Sequence, residues 1–233
     1  MSIALVSYVW ANRLATSENM VVHWCKHYVS AGIDAAHICL NVSGKEDDSE
    51  LFKMLIQDNI PGCNITIHRR SFSNGVKIRF MNSIVCDGRY SLIVPADIDE
   101  FIDYDLRDSA SRLLASEYPA IHGRLVDMVC LHDGKLCLNK PALDKTMLEQ
   151  FPEEANISSR IKRGMNKVVL VKKDIQLHTG HHWHKGFRHN PAMPGVKVKV
   201  RHYCWTDTSL YNRSMRKNSG HPIYKKLVKI LST

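Results

Sequence analysis

The stretch Val94-Pro95-Ala96-Asp97-Ile98-Asp99-Glu100-Phe101-Ile102 decides the fold, because it joins an apolar run to a cluster of acids. The run from Tyr90 to Val94 is short, compatible with β-structure and bounded by turn residues, so it predicts a buried strand that ends at the acids. In open α/β sheets, ligands bind at the carboxyl ends of the strands. Asp97 and Asp99 are two residues apart, so in an extended segment both side chains point to the same side.

Three neighbouring carboxylates at such a strand end would repel one another, and burying them without partners would be costly. A divalent cation would relieve this cost, and oxygen ligands of this kind suit Mg²⁺ or Mn²⁺. A D-x-D pattern is short, however, and acids at a strand end also occur as a solvated turn or as the cap of a following helix. The stretch therefore predicts a metal site at Asp97 and Asp99, with a solvated turn as the alternative.

Strands and helices alternate three times before the acids, which predicts an α/β fold with a mostly parallel central sheet and helices on both faces. The predicted strands cover residues 3–9, 35–42 and 63–68, and the predicted helices 17–32, 48–57 and 74–86. After the acids we expect a helix over 108–116, a long strand over 120–131, a hairpin at Asp133-Gly134, an irregular loop over 139–160, a strand over 167–171 and an edge strand over 196–204. We expect one domain over residues 1–205 and a basic helical tail over 206–233, with helices at 208–217 and 222–231.

The composition is that of a soluble globular protein, with 44% hydrophobic and 24% charged residues. The sequence lacks a run of eighteen apolar residues, so no membrane span is predicted, and its first residues lack the pattern of a signal peptide. Seven cysteines, an odd number without a C-x-x-C pair, favour a reducing compartment. We therefore expect a cytoplasmic protein.

Positive charge is concentrated in the last third of the chain. Residues 160–233 hold 17 of the 32 lysines and arginines but only two of the 23 acids. This asymmetry favours an anionic partner, such as phospholipid, nucleic acid or a phosphorylated substrate, over a merely solvated basic face. The segment Pro222 to Leu231 places lysines opposite Ile, Leu and Val on a helix, which is typical of a helix at an anionic membrane surface and equally of a helix docked on a core.

Several segments together resemble the GT-A glycosyltransferases, and more narrowly the glycosyltransferase family 2-like group related to family 92. The segment His23-Trp24-Cys25-Lys26-His27-Tyr28-Val29-Ser30-Ala31-Gly32 resembles that group's E-W-x-x-[YH]-H-x-x-x-G, and Asp97 to Phe101 match its D-x-D-E-F without substitution. His202-Tyr203 resembles its later H-Y element. The turn after the first strand, Lys-Asn-Glu-like in the family, is Ala11-Asn12-Arg13 here.

The resemblance implies a GT-A, Rossmann-like sheet and the transfer of a sugar from a nucleotide-diphosphate donor, for which we expect a UDP-sugar. It implies Asp99 as the main metal ligand, Asp97 as a contact to the metal or the ribose, and Asn12 as a contact to the nucleotide. A histidine late in such chains often completes the coordination, and imidazole favours Mn²⁺ over Mg²⁺. His181, His182 and His202 are the candidates, with His202 preferred. The alternatives for the histidine-dense segment 178–189 are a zinc site and a phosphate-binding loop.

Further candidates come from the chemistry of the transfer. An inverting transfer needs a carboxylate base against the acceptor hydroxyl, and the acids that follow the metal motif are Asp127, Asp144, Glu149, Glu153 and Glu154. The loop over 139–159 is the favoured source, because Asp127 lies inside an apolar strand pattern, and we expect the base among Glu153, Glu149 and Asp144. Lys77 and Arg79 precede the metal strand on a helix and are candidates for neutralising the donor phosphates, unless they are exposed helix charges.

The sequence thus predicts a metal-dependent, inverting glycosyltransferase of cell-surface polysaccharide synthesis. Its acceptor would be a glycan or a lipid-linked glycan, and it would lie in the cytoplasm, at the inner face of the membrane where its tail binds lipid. Two other classes stay open: a nucleic-acid-binding protein acting through the basic C-terminal third, and a metal-dependent phosphohydrolase. We expect no nucleic-acid partner, because the basic residues form no recognisable RNA or DNA module.

Overall fold

The computed structural model describes residues 2–11, 18–68, 73–133, 135–137, 139–160, 165–186 and 193–205. Within these ranges the chain forms ten strands, six α-helices and two short 3-10 helices. The strands are β1 (Ile3–Ala11), β2 (Ile38–Gly44), β3 (Asn64–His68), β4 (Leu92–Pro95), β5 (Glu100–Asp103), β6 (Ala120–His132), β7 (Lys135–Cys137), β8 (Glu153–Ala155), β9 (Asn166–Lys172) and β10 (Val198–His202). The α-helices are α1 (Glu18–Ser30), α2 (Glu46–Asn59), α3 (Asn74–Val85), α4 (Leu106–Leu114), α5 (Met147–Gln150) and α6 (Ile157–Arg160), and the 3-10 helices are Ala35–His37 and Thr179–His181.

The central sheet has the strand order β3-β2-β1-β4-β9-β6-β10-β5. Parallel pairs join β3 to β2, β2 to β1, β1 to β4 and β6 to β10. β9 is antiparallel to both β4 and β6, and β5 is antiparallel to β10, so six of these eight strands run in one direction. The predicted α/β class with a mostly parallel sheet is therefore confirmed.

Helices cover both faces of this sheet. On one face Trp24 and Tyr28 of α1 pack in the same buried cluster as Leu5 of β1. On the other face Met81 of α3 packs with Val6 of β1. Because successive residues of a strand point to opposite faces, a strand buried on both sides must be apolar almost throughout, as β1 is. Each fully buried large side chain stabilises such a core by about 1.5–3 kcal/mol.

The end of α1 fixes the helix against the acidic stretch. Gly32 has a φ of 96°, and the amides of Gly32 and Ile33 donate to the carbonyls of Val29 and Tyr28, both at 3.0 Å, so Gly32 caps the carboxyl end of the helix. The Tyr28 hydroxyl, buried under the sheet, donates to the Glu100 carbonyl oxygen at 3.1 Å. The helix therefore positions the backbone at the start of β5.

Three sequence predictions are wrong in detail. Residues 139–160 are not an irregular loop, since they contain α5, β8 and α6. The strand predicted as an edge over 196–204 lies inside the sheet, because the unpredicted strand β5 folds back and covers its outer side. The strand predicted from Ala35 starts at Ile38, because Asp34 accepts a hydrogen bond from the Ala36 amide at 2.9 Å and caps a 3-10 turn there.

The predicted basic tail over 206–233, with both of its helices, lies outside the described residues. Of the helices that are described, none combines the length and the apolar character that crossing a bilayer requires.

Candidate functional site

Four strands bring the functional side chains to one edge of the sheet. β4 ends at Pro95 and Asp97 follows it, while β6 and β10 run in the same direction as β4. Asp127 on β6 is the register partner of His202 on β10, and His202 in turn is the register partner of Glu100 on β5. Because the carboxyl ends of parallel strands share one edge, residues far apart in sequence form a single cluster there.

In the first part of the cluster, two ammonium groups and an imidazole surround two carboxylates. We call this part the lysine lobe, and it consists of Lys77, Asp97, Glu100, Lys167 and His181. Lys77 Nζ forms an ion pair with Asp97 Oδ1. Lys167 Nζ lies 3.3 Å from Asp97 Oδ2 and 2.8 Å from Glu100 Oε1. His181 Nε2 lies 3.1 Å from Glu100 Oε2. Lysines supplied by α3 and β9 therefore balance the two carboxylates of this lobe.

The charges of the lysine lobe are buried and stabilise one another. Burial alone would lower the pKa of Lys167, which is 5% exposed, but the charges of Glu100 and Asp97 raise it above the ordinary lysine value. Burial raises the pKa of the Asp97 and Glu100 carboxyls, and the lysine charges outweigh this effect, so that both pKa values lie below their ordinary range. All three groups are therefore charged at neutral pH, as a buried ion pair requires.

His181 is held in the lysine lobe by an uncommon backbone conformation. Its φ is 41°, in the left-handed region, and Gly180 before it has a φ of 78°. Its ring is fully buried, and among the described residues its Nδ1 atom has no hydrogen-bond partner. Non-glycine residues in this region cost energy and cluster at functional sites, so the geometry marks His181 as a residue whose position matters for the site.

The second part of the cluster, which we call the histidine lobe, consists of Asp99, Asp127, Ser158 and His202. His202 Nε2 lies 3.6 Å from Asp99 Oδ2, and its Nδ1 lies 3.0 Å from Asp127 Oδ1. The Ser158 amide donates to Asp127 Oδ2 at 2.6 Å, and its hydroxyl donates to Asp127 Oδ1 at 2.7 Å. The imidazole therefore lies between two carboxylates, one of which is anchored by the first turn of α6.

The pKa values of this lobe follow from these contacts. Burial would raise the pKa of Asp127, but the hydrogen bonds from His202 and Ser158 lower it below the ordinary value. Burial would lower the pKa of His202, but its neighbours, including Asp127 and Asp99, raise it well above the ordinary histidine value. With its imidazole protonated, His202 is the cation that balances the carboxylates of the histidine lobe.

The donor atoms of the cluster match what a divalent cation needs. One ligand atom each from Asp99, Glu100 and His202 lies within 4.8 Å of the others, and the same holds for Asp97, Glu100 and His181. A third, fully buried group joins Asp127, His202 and Cys204. Carboxylate oxygens together with an imidazole nitrogen suit Mn²⁺, and carboxylates alone suit Mg²⁺, so the residues present fit the cation that the sequence predicts.

The cluster contains most of the predicted ligand and phosphate-site residues. Asp97, Asp99, His181, His202 and Lys77 all contribute to it. By contrast, Arg79 is exposed on α3, and the Nδ1 atom of His182 donates to the Asn166 carbonyl oxygen at 2.7 Å. Asn12 lies outside the described residues.

The predicted base candidates lie elsewhere. Asp144 and Glu149 line a cavity of about 470 Å³ between α1 and α5, which Phe101 and Tyr203 also line. Because neighbouring residues on a strand point to opposite faces, this cavity lies on the other face of β5 and β10 from Glu100 and His202. The Glu149 carboxylate caps α5, accepting from the Thr146 amide and hydroxyl, and Glu153 is exposed on β8.

Sequence reasoning did not place Lys167, Asp127 or Ser158 in the cluster; it considered Asp127 only as a less favoured base candidate. Asp127 carried a signal, since it is a single acid inside an apolar strand and such a buried acid must have partners. Lys167 carried a weaker one, as a lysine at the start of a predicted buried strand. Ser158 carried none, because its role depends on how α6 packs against β6.

Comparison with solved structures finds distant similarities. HddC from Yersinia pseudotuberculosis is 13% identical, with a TM-score of 0.42, over 93% of this chain and 99% of that chain. The 4-diphosphocytidyl-2C-methyl-D-erythritol synthase from Anaerococcus prevotii is 10% identical, with a TM-score of 0.42, over 92% and 99%. TarS from S. aureus is 11% identical, with a TM-score of 0.40, over 77% of this chain and 31% of that chain. No protein-family model and no curated protein matches the chain. The fold assignment therefore rests on the chain's own strand order.

Proposed function

We propose that the protein is a metal-dependent glycosyltransferase that moves a sugar from a nucleotide-diphosphate donor to a glycan or lipid-linked acceptor. The observation that carries this proposal is the convergence, at the carboxyl edge of an α/β sheet, of the D-x-D-E carboxylates with His181, His202 and two buried lysines. An anionic donor and a divalent cation are the ligands that such a mixture of fixed positive and negative charge accommodates.

Within the cluster, Asp99, Glu100 and the Nε2 atom of His202 would hold the cation. The two lysines already neutralise Asp97 and part of the charge of Glu100, so a cation gains least beside them and most beside Asp99. The imidazole among the ligands favours Mn²⁺ over Mg²⁺. When bound, the ion supplies Lewis acidity that stabilises the departing nucleoside diphosphate.

The remaining groups of the cluster bind and orient the donor. Lys77 and Lys167 hold the Asp97 carboxylate in place, and its side chain, 27% exposed, is available to a ribose hydroxyl of the donor. The UDP base, the inverting course, the acceptor base among Asp144, Glu149 and Glu153, and the binding of an anionic inner membrane surface by the tail stay predictions from the sequence.

The proposal is tested by thermal unfolding with UDP, GDP, CDP or dTDP, each with and without Mn²⁺. A ligand that binds only the folded state raises the unfolding midpoint, with a stabilisation of about 2.7 kcal/mol at a hundredfold excess over Kd. We expect a midpoint increase with one diphosphate, UDP first, that needs Mn²⁺ and is lost in Asp99→Ala.

The matched control is Asp103→Ala. Asp103 is a carboxylate at the end of β5, the strand that begins directly after Asp99. It pairs with Arg201 outside the cluster and is exposed, so its loss should leave the Mn²⁺-dependent shift intact. The absence of any Mn²⁺-dependent shift with all four nucleotides would overturn the proposal. Release of phosphate from a generic ester without a sugar donor would instead favour the hypothesis of a phosphohydrolase. Salt-sensitive binding of random oligonucleotides would favour the hypothesis of a nucleic-acid-binding protein.

A further inference from the structure

Asp127 is a carboxylate that the proposed chemistry leaves unused and that is completely removed from solvent. It lies in the interior of β6, between His202 on β10 and the first turn of α6. Its oxygens accept three strong hydrogen bonds: from the Ser158 amide at 2.6 Å, from the Ser158 hydroxyl at 2.7 Å, and from His202 Nδ1 at 3.0 Å. The Cys204 thiol lies 3.9 Å from Oδ1. Such burial excludes Asp127 as a base for an acceptor and calls for another role.

The contacts of Asp127 decide which nitrogen of His202 carries the proton. An ionised carboxylate can only accept hydrogen bonds, so the His202 nitrogen facing it, Nδ1, must be the donor. The opposite nitrogen, Nε2, faces Asp99 Oδ2 at the longer distance of 3.6 Å. When the imidazolium gives up one proton, Nε2 is therefore the atom whose lone pair a metal ion can use. A ring that is anchored through one nitrogen to a carboxylate presents the other nitrogen in a fixed direction.

We propose that Asp127, itself fixed by Ser158, is a positioning residue that holds Nε2 of His202 toward Asp99 as a ligand for a divalent cation. This inference rests on the proposed metal dependence, and it assigns Asp127 no contact with substrate. The sheet makes the arrangement possible, because Asp127 and His202 are register partners on adjacent parallel strands. On the other side of Asp127, its register partner is Ala155 of β8, and α6, which carries Ser158, follows directly after β8.

The hydrogen bonds also determine what an amide at this position would do. In Asp127→Asn, the backbone N–H of Ser158 still donates toward the position of Oδ2. The side-chain oxygen of the new asparagine must therefore occupy that position, because only the oxygen can accept. The NH₂ group then takes the place of Oδ1 and faces His202 Nδ1. A neutral imidazole facing a donor must accept at Nδ1 and carry its proton on Nε2, which removes the lone pair from the side of Asp99. A similar exchange of carboxylate for amide behind a catalytic histidine produces the wrong tautomer.

The test combines metal binding and a spectroscopic readout, neither of which needs enzyme activity. Free Mn²⁺ is titrated by electron paramagnetic resonance with the wild type and with Asp127→Asn, in the absence of nucleotide. We expect the Kd for Mn²⁺ to rise about 10–100-fold in Asp127→Asn. In the metal-free proteins at alkaline pH, where the ring is neutral, nitrogen-15 spectra of His202 should report the proton on Nδ1 in the wild type and on Nε2 in the variant.

Ser158→Ala is the control that separates positioning from general destabilisation. It removes one hydrogen bond to Asp127 but keeps the carboxylate and the Ser158 backbone amide, so the tautomer should stay that of the wild type and the Mn²⁺ Kd should stay within about threefold. Unchanged Mn²⁺ affinity in Asp127→Asn, or a proton on Nε2 in the neutral wild-type ring, would overturn the inference alone. A wild type that binds no Mn²⁺ would overturn it together with the metal dependence of the proposed function. If Asp127→Asn does not fold, the nitrogen-15 spectrum of the wild type still tests the inference, because it shows which nitrogen of the neutral His202 ring carries the proton.

Discussion

The lysine lobe and the histidine lobe are adjacent but balance their carboxylates with different kinds of cation. In the lysine lobe, Lys77 and Lys167 stand against Asp97 and Glu100, so positive and negative charges are equal in number. In the histidine lobe, a single imidazole stands between Asp99 and Asp127. Lysine keeps its proton in such surroundings, whereas imidazole can exchange its proton for a metal. The charges of the first lobe are thus balanced by the chain itself, while the second lobe is where the proposed function places an external cation.

The largest effect that would test this comparison concerns Lys167. Lys167→Met would leave Glu100, 2% exposed, in the interior without its lysine, with His181 and the Asp97 amide as partners, and breaking a buried pair in this way costs about 3–5 kcal/mol. We expect a corresponding loss in the free energy of unfolding, measured with urea at neutral pH. Lys199→Met is the control, since Lys199 pairs with Glu154 at the surface and such pairs contribute about 0–1 kcal/mol. Equal losses in the two variants would mean that the lysine lobe is not a stabilised unit.

The next effect separates the two aspartates of the D-x-D pattern. If the cation binds in the histidine lobe, Asp99→Asn should weaken Mn²⁺ binding about 100-fold or more, since loss of a direct ligand exceeds the 10–100-fold cost of losing a supporting contact. Asp97→Asn should weaken it less than about 10-fold, because Asp97 is occupied by lysines. Titration of Mn²⁺ by electron paramagnetic resonance measures both. The reverse order would place the cation in the lysine lobe.

A smaller effect appears at acid pH. Burial raises the pKa of the Asp97 and Glu100 carboxyls, but the lysine charges bring both below their ordinary values in the folded protein. The unfolded chain therefore binds more protons below about pH 4.5, so the stability that these groups contribute is present above that pH and is lost as the pH falls. We expect the free energy of unfolding to fall by on the order of 2 kcal/mol between pH 6 and pH 3.

The same urea titrations with Lys167→Met identify the source of this acid sensitivity. Without Lys167 the two carboxyls are less strongly held in the ionised form, so the variant should lose less stability over the same pH range. Parallel curves for wild type and variant would attribute the effect to other acids, such as Asp127, which the histidine lobe holds.

The sequence predicted the sheet and the acids of the D-x-D-E stretch better than the side chains that pair with those acids. Alternating strands and helices are local patterns, and so is the D-x-D-E stretch, which is why β4, α3 and the acids were predicted close to their observed positions. The partnership of Lys167 with Glu100, or of His202 with Asp127, joins positions 67 and 75 residues apart and exists only after the strands have paired. In the sequence alone, a lysine at the start of a strand cannot be distinguished from an exposed polar residue that marks the strand's end.

The interior position of β10 was missed for a related reason. Its alternating basic and apolar residues are typical of an edge strand, and that prediction was sound for the segment considered by itself. What covers its outer side is β5, a strand of four residues that begins directly at Glu100 and runs in the opposite direction. So short a strand after a cluster of acids gives too few residues for a periodic signal.

The insertion of β10 between β6 and β5 has a consequence for biosynthesis. The acids at 97–100 leave the ribosome about 70 residues before Lys167 and about 100 before His202. During that interval the nascent chain carries a crowded group of carboxylates, of which only Asp97 has a lysine partner, Lys77, that has already been synthesised. The lysine lobe has all its members once Lys167 and His181 have been synthesised, whereas the histidine lobe has to wait for His202 on the last described strand, so the two lobes are completed in that order.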